Sequence, residues 1–132
     1  MMEVVQAAKN ILTANLSINH LFVGDYDDFI PENYPAVCIQ PEADTAVLED
    51  NLSFDFDDIP RLSIYYVEKA PENRDKINFI QKMDELKAIL KNNPTLDNSI
   101  SFGAQFTFVY SRRNTEDNIE FITKIEVEGR RV

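Results

Sequence analysis

The chain is poor in the residues that most often do chemistry. It has one cysteine, Cys38, so no disulfide can form within it. Cys38 sits in the apolar run Ala36-Val37-Cys38-Ile39, where a buried, inert thiol is expected. The one histidine, His20, falls between a predicted helix and a predicted strand, with no Ser or Cys motif near it to activate. One histidine and one cysteine do not make a zinc site of the usual kind. Three glycines in 132 residues argue against a loop-dominated chain, and none builds a phosphate-cradling loop or a dinucleotide fingerprint. No run approaches the roughly 18 apolar residues of a membrane span. The start, Met1-Met2-Glu3, opens on an acid without a long apolar stretch, which predicts no signal peptide and synthesis in the cytoplasm.

Positive charge is scarce too, but unevenly. Residues 1–60 hold twelve acids and one base, Lys9, for −11, whereas residues 61–132 hold eleven acids and twelve bases, for +1. Such asymmetry suits head-to-tail contact between copies, because an acidic surface can meet a neutral or basic one. The plainer reading is that acids keep surface loops soluble. A net charge of −10 makes a poor binder of nucleic acid, whose affinity comes mainly from cations meeting phosphates. Such a chain can still surround DNA without gripping it.

What the sequence does have is strand periodicity. From Ile100 to Tyr110 every second residue is apolar: Ile100, Phe102, Ala104, Phe106, Phe108, Tyr110. Ile119, Phe121, Ile125 and Val127 repeat the pattern, with Thr123 as the polar member. A period of two over that length predicts two long strands, each with a wet and a dry face, joined by a turn near Arg112 to Asn118. Eleven residues at about 3.3 Å each span roughly 36 Å, about the size of the whole domain. A hairpin of that reach tends to outrun its own core and invites a partner.

Upstream, Val4 to Ala14 reads as a short helix with Val4, Val5, Ala8, Ile11 and Leu12 on one stripe. Leu21-Phe22-Val23 is a short strand, and Ala36 to Gln40 a second, opened by Pro35 and closed by Pro41. Residues 42–59 read as a long acidic loop in which Ser53 to Asp57 alternates. Leu62 to Val67 is a firmer strand. Asp75 to Asn92 is the strongest helix, with Ile77, Phe79, Ile80, Met83, Leu86, Ile89 and Leu90 on its dry side, and Asn92-Asn93-Pro94 stops it. The order α-β-β-β-α-β-β, with one-sided helices, predicts a single α+β domain over 1–132: a mostly antiparallel sheet with both helices on one face and a long C-terminal hairpin.

Two acidic phrases resemble each other, Asp25-Tyr26-Asp27-Asp28 and Asp55-Phe56-Asp57-Asp58. They lack calcium-loop spacing, so solvated loops, or loops that dock on a partner, are the expected reading. Arg112-Arg113 and Arg130-Arg131 are the basic pairs, either solubilising exposed tips or meeting the acidic loops of a neighbouring copy. Asp25, Asp27, Asp28, Asp55, Asp57, Asp58, Arg112, Arg113, Arg130 and Arg131 are therefore the candidate subunit-interface residues. Tyr65, Tyr66 and Tyr110 read first as packing residues. No catalytic, cofactor or metal residue is assigned, and the chain reads as a non-enzyme.

The layout resembles a known family. A short helix leads to Tyr34-Pro35-Ala36-Val37-Cys38-Ile39. A loop follows, then Arg61-Leu62-Ser63-Ile64-Tyr65-Tyr66-Val67, an amphipathic helix ending in Leu90-Lys91-Asn92-Asn93-Pro94, and a closing hairpin. This is similar to the tail terminator (tail completion) proteins of tailed bacteriophages, of the type of the lambda tail protein U, and to related neck and head–tail joining proteins. The resemblance implies a virion protein made in a bacterial host. Six copies would form a ring on the head-proximal end of the tail tube, touching the tail tube protein and a head or neck connector, with DNA passing through and no membrane involved. An acidic hole would repel phosphates and let the genome slide. The rivals are another neck or head-completion ring protein, a monomeric binding module whose acidic loops hold a cation or basic partner, and a hydrolase with a deep pocket.

Overall fold

A computed structural model describes residues 1–48, 56–100 and 104–129. Among the described residues there are two α-helices and five strands, in the predicted order: α1 (Met2–Asn15), β1 (His20–Val23), β2 (Ala36–Leu48), β3 (Phe56–Lys69), α2 (Ile77–Lys91), β4 (Gln105–Asn114) and β5 (Ile119–Glu128). The strands form one sheet in the order β1-β2-β3-β5-β4. All neighbours are antiparallel except the edge pair β1 and β2, which is parallel. The fold is α+β, as expected.

Alternation decides which residues the helices cover. Val37 and Ile39 of β2, Leu62, Ile64 and Tyr66 of β3, and Phe121, Ile125 and Val127 of β5 point to one face. There they join Val4, Val5, Ala8, Ile11 and Leu12 of α1 and Phe79, Met83, Leu86 and Leu90 of α2 in one core. Asp75 accepts a 2.7 Å hydrogen bond from the backbone N–H of Ile77, satisfying a donor at the start of α2. After α2 the chain turns through Leu96, Asp97 and Asn98, all left-handed (φ 45°, 59° and 62°). Asp and Asn tolerate that region, and the turn drops Leu96 into the core. Gly129 closes the same corner, since a Cβ there would run into Ile100.

The opposite face carries a smaller cluster: Ala36, Cys38, Val67 and Ile122 under Phe29, with Phe22, Tyr26, Tyr34 and Tyr65 around them. The segment between β1 and β2 lies over it, with a 3-10 turn at Tyr26–Asp28.

Several expectations change. Pro41 does not close its strand: β2 runs on to Leu48 with a register shift between Pro41 and Ala43. Proline is accepted on edge strands and at bulges, and Pro41 has both settings, because β1 ends opposite Ile39. The predicted acidic loop over 42–59 is therefore strand at 42–48 and at 56–59, and only residues 49–55 lie outside the described residues. The C-terminal hairpin is long, but β2 and β3 are longer (13 and 14 residues against 10 and 10). Ile100 is buried in the turn before β4 and not in the strand, and the hairpin turn falls at Thr115 to Asn118, later than Arg112. On α2, Ile77 and Ile80 are 61% and 54% exposed, so its dry side is Phe79, Met83, Leu86 and Leu90, with Ile89 packed beside them against the core.

Candidate assembly surface

Two stretches of strand lack a partner among the described residues. The first belongs to β2 and β3. β3 pairs with β5 only from Arg61 onward, while β2 and β3 continue together to Leu48 opposite Phe56. Residues 43–48 and 56–60 thus form a two-stranded arm that projects past the body of the sheet, with Asp44, Thr45 and Ala46 exposed on it. Two-stranded ribbons are marginal alone in water. The arm is tied to the body through Asp44, which takes the Met1 ammonium at 3.3 Å, and through Gly129, whose N–H donates to the Pro60 carbonyl. Its described strands, 43–48 and 56–60, carry Asp44, Asp57 and Asp58 and no base.

The second is β4, the far edge of the sheet. Ten residues long, it presents alternate N–H and C=O groups on its outer side to no strand among the described residues. Proteins usually blunt such an edge with charge, proline or brevity. The other edge, β1, is four residues long. From Gln105 to Ser111, β4 has no charge, proline or glycine. Beside it, α2 overhangs the sheet and leaves an apolar cleft of about 360 Å³ between Ile80, Phe79, Phe121 and Tyr110, with Lys76 and Lys87 at its sides. Lys87 Nζ lies 5.2 Å from the Phe108 ring and 5.6 Å from that of Tyr110, and Lys76 Nζ 5.3 Å from that of Phe121. These are cation–π distances that hold the two ammoniums over the cleft.

The ten candidate interface residues separate. Asp25, Asp27 and Asp28 are exposed on the short turn over the second face. Asp57 and Asp58 fall within β3, on the arm, so the two similar acidic phrases take different structures. Asp55, Arg130 and Arg131 lie outside the described residues. Arg112 is exposed on β4.

Arg113 departs from its expected place at an exposed tip. It sits in β4 directly opposite Glu120 of β5, and its Nε donates a 2.6 Å hydrogen bond to Glu120 Oε1. Glu120 is fully buried; its other oxygen accepts a 2.6 Å bond from the Tyr34 hydroxyl. The Arg113 guanidinium also lies 4.9 Å from the Tyr26 ring, which stacks on Tyr65 at 4.0 Å. Burial works against the Arg113 charge, but the Glu120 hydrogen bond and the nearby phenols outweigh it and make the guanidinium more basic. Burial, then the bond to Glu120, pushes the Tyr34 hydroxyl up to about 12. Burial likewise raises Tyr26 to about 12, opposed by Arg113. Arg113 is thus held within its own chain, and it shares a cleft with Asp27. This cluster pins the acidic turn to the sheet and is not free to meet a neighbour.

Cys38 is buried, donates to the Gly24 carbonyl at 3.5 Å, and burial pushes its thiol up to about 12, which fits an inert role. His20 Nδ1 accepts a bond from the Glu32 N–H, a positioning contact for the same loop. Among the described residues no three His, Cys, Asp or Glu side chains come together as metal ligands, and no helix is long and apolar enough to cross a membrane.

The sequence reading missed Lys76, Ile80, Lys87 and Tyr110 as a group. A signal was available: Ile80, Asp84, Lys87 and Lys91 fall on one flank of α2, next to the Phe79-Met83-Leu86-Leu90 stripe. No protein-family model and no curated protein matches this chain.

Proposed function

We propose that this chain is a non-enzymatic structural protein that assembles with copies of itself into a ring, and that the ring ends a bacteriophage tail tube and joins it to the head, leaving a hole for DNA. The observation that carries the assembly is the open β4 edge, ten residues long, on a sheet whose other end projects an acidic arm. Two different open surfaces on one small domain favour a heterologous contact, which closes into a ring when the rotation allows it. The tail-tube part of the reading rests on the order of elements and the short phrases that resemble tail terminators.

The test is mass photometry with negative-stain imaging across protein concentration, with and without Mg²⁺, and in the presence of growing tail tubes. Hollow rings of about six copies, alone or at tube ends, are expected. A monomer under every condition, with tubes that elongate unchanged, would sink the proposal.

A further inference from the structure

We propose that the acidic β2–β3 arm of one copy docks along the β4 edge of the next, beside the apolar cleft that α2 and β4 enclose. This rests on the self-assembly reading above and names its joint.

Three observations converge on a second copy as the occupant. The first is backbone pairing. β4 offers an open row of hydrogen-bonding groups, and beyond Pro41 the outer edge of β2 is open too, since β1 ends opposite Ile39. Strand addition satisfies both at once. The second is charge. The described arm strands, 43–48 and 56–60, carry Asp44, Asp57 and Asp58 and no base, whereas the β4 cleft is flanked by Lys76 and Lys87, with the exposed Arg112 further along the strand. Asp84 is the acid among the cleft's lining residues. Complementary potentials of this kind fix register and partner. The third is topology. Within one chain, β3 and β5 stand between the outer edge of β2 and β4, roughly 14 Å at the usual spacing of strands, so the two edges cannot meet in the same copy. Each copy then gives an arm and receives one.

Side-chain parity agrees. Asp44 is opposite Pro60 and faces α1, whose ammonium it meets. It therefore projects from the same sheet face as Tyr110 and Lys87, and Thr45 shares the other face with Val109. Continuing the sheet from β4 into a neighbour's arm brings acids to the side where the lysines stand.

The test uses single-cysteine handles. Thr45 and Val109 are exposed, and Cys38 is buried, so it gives little background. Thr45→Cys and Val109→Cys are prepared as separate full-length chains, checked for unchanged circular dichroism and Tm, and treated with a short bismaleimide at high concentration. The mixed pair is expected to give a crosslinked heterodimer, while either variant alone gives none. Adding Lys76→Glu and Lys87→Glu to the Val109→Cys chain lowers the yield about tenfold, and adding Ala46→Lys and Asp58→Lys, which stand opposite one another on the arm, to the other chain then restores it. Rings seen by imaging without a Thr45–Val109 crosslink would overturn this joint and leave the ring reading standing. Neither rings nor crosslink would overturn both. A crosslinked pair that never closes into rings would keep the joint and discard the ring.

Discussion

The helix-covered face of the sheet and the loop-covered face differ in what holds them. Under the helices lie Leu, Ile, Val, Phe and Met side chains, with the hydroxyls of Thr123 and Tyr66 from the strands' dry side. Under the 24–35 loop the apolar cluster is small, and a buried carboxylate, an arginine and three tyrosines take over. The first face is general: many apolar residues of the right volume would serve it. The second depends on particular partners, because each polar group taken from water must find one. The helix face therefore supplies most of the stability, and the loop face sets where the acidic turn sits.

The largest effect should come from the helix face. Phe121 is buried, and its ring meets that of Phe79 at 5.5 Å. Phe121→Ala should cost about 3–5 kcal/mol by urea unfolding. Its neighbour Ile122 points to the loop face, and Ile122→Ala should cost less, about 2–3 kcal/mol, since the loop above can settle into the space. Equal losses at the two sites would break the contrast.

The buried ion pair sharpens it. Glu120→Gln leaves Arg113 half-buried without its counter-charge, for a loss of about 3 kcal/mol. Glu120→Gln with Arg113→Met should recover much of that loss, because an unpaired charge costs more than an absent pair. A double variant no better than Glu120→Gln alone would show that the pair itself, and not the stranded charge, stabilises the face.

This division also explains what the sequence made legible. The helix face was readable because its signal is periodic: Leu62, Ile64 and Tyr66, and then Phe121, Ile125 and Val127, alternate as a half-buried sheet requires. Single-residue rules were less secure. Pro41 looked like a stop because its rule depends on whether the strand is interior or edge, and only the sheet order tells. Ile77 and Ile80 looked dry because helical spacing cannot show that α2 overhangs β4. Arg113 reads as an exposed tip if the turn begins at Arg112; with the turn at Thr115 to Asn118, Arg113 falls opposite Glu120. The arm and the open β4 edge were out of reach, since they depend on which strands fail to pair.

Raising the pH attacks the loop face in particular. The Cys38 thiol has an ordinary value of 9.0, and those of the Tyr26 and Tyr34 hydroxyls are 10.0; folding pushes all three up to about 12, with burial as the main cause. A group whose folded pKa is raised stabilises fully below its unfolded pKa and loses that contribution as pH climbs toward the folded one. Tm should thus hold up to about pH 9 and fall between about 9 and 12. Burial raises Tyr66 on the helix face as well, so some loss remains there. Tyr26→Phe is a mild test, because the Tyr26 hydroxyl is buried without a hydrogen-bond partner among the described residues. It should raise Tm slightly near neutrality, since an unsatisfied hydroxyl leaves the interior, and flatten the alkaline slope. An identical slope would remove Tyr26 from the account.

The smallest effect belongs to the buried threonine of the dry face. Thr123 is fully buried, and its hydroxyl donates to the sulfur of Met83 on α2 at 2.8 Å. A thioether is a weak acceptor, so the bond offsets only part of the cost of taking the hydroxyl out of water. Valine keeps the β-branched shape that strands favour and removes both partners' need, a change that ranges from neutral to stabilising. Thr123→Val should therefore move stability by less than about 1 kcal/mol, with the gain as the expected sign. A loss of more than that would mean that the hydroxyl orients α2 through Met83. The helix face would then share the partner-specific character of the loop face, and the contrast between them would fail at its simplest point.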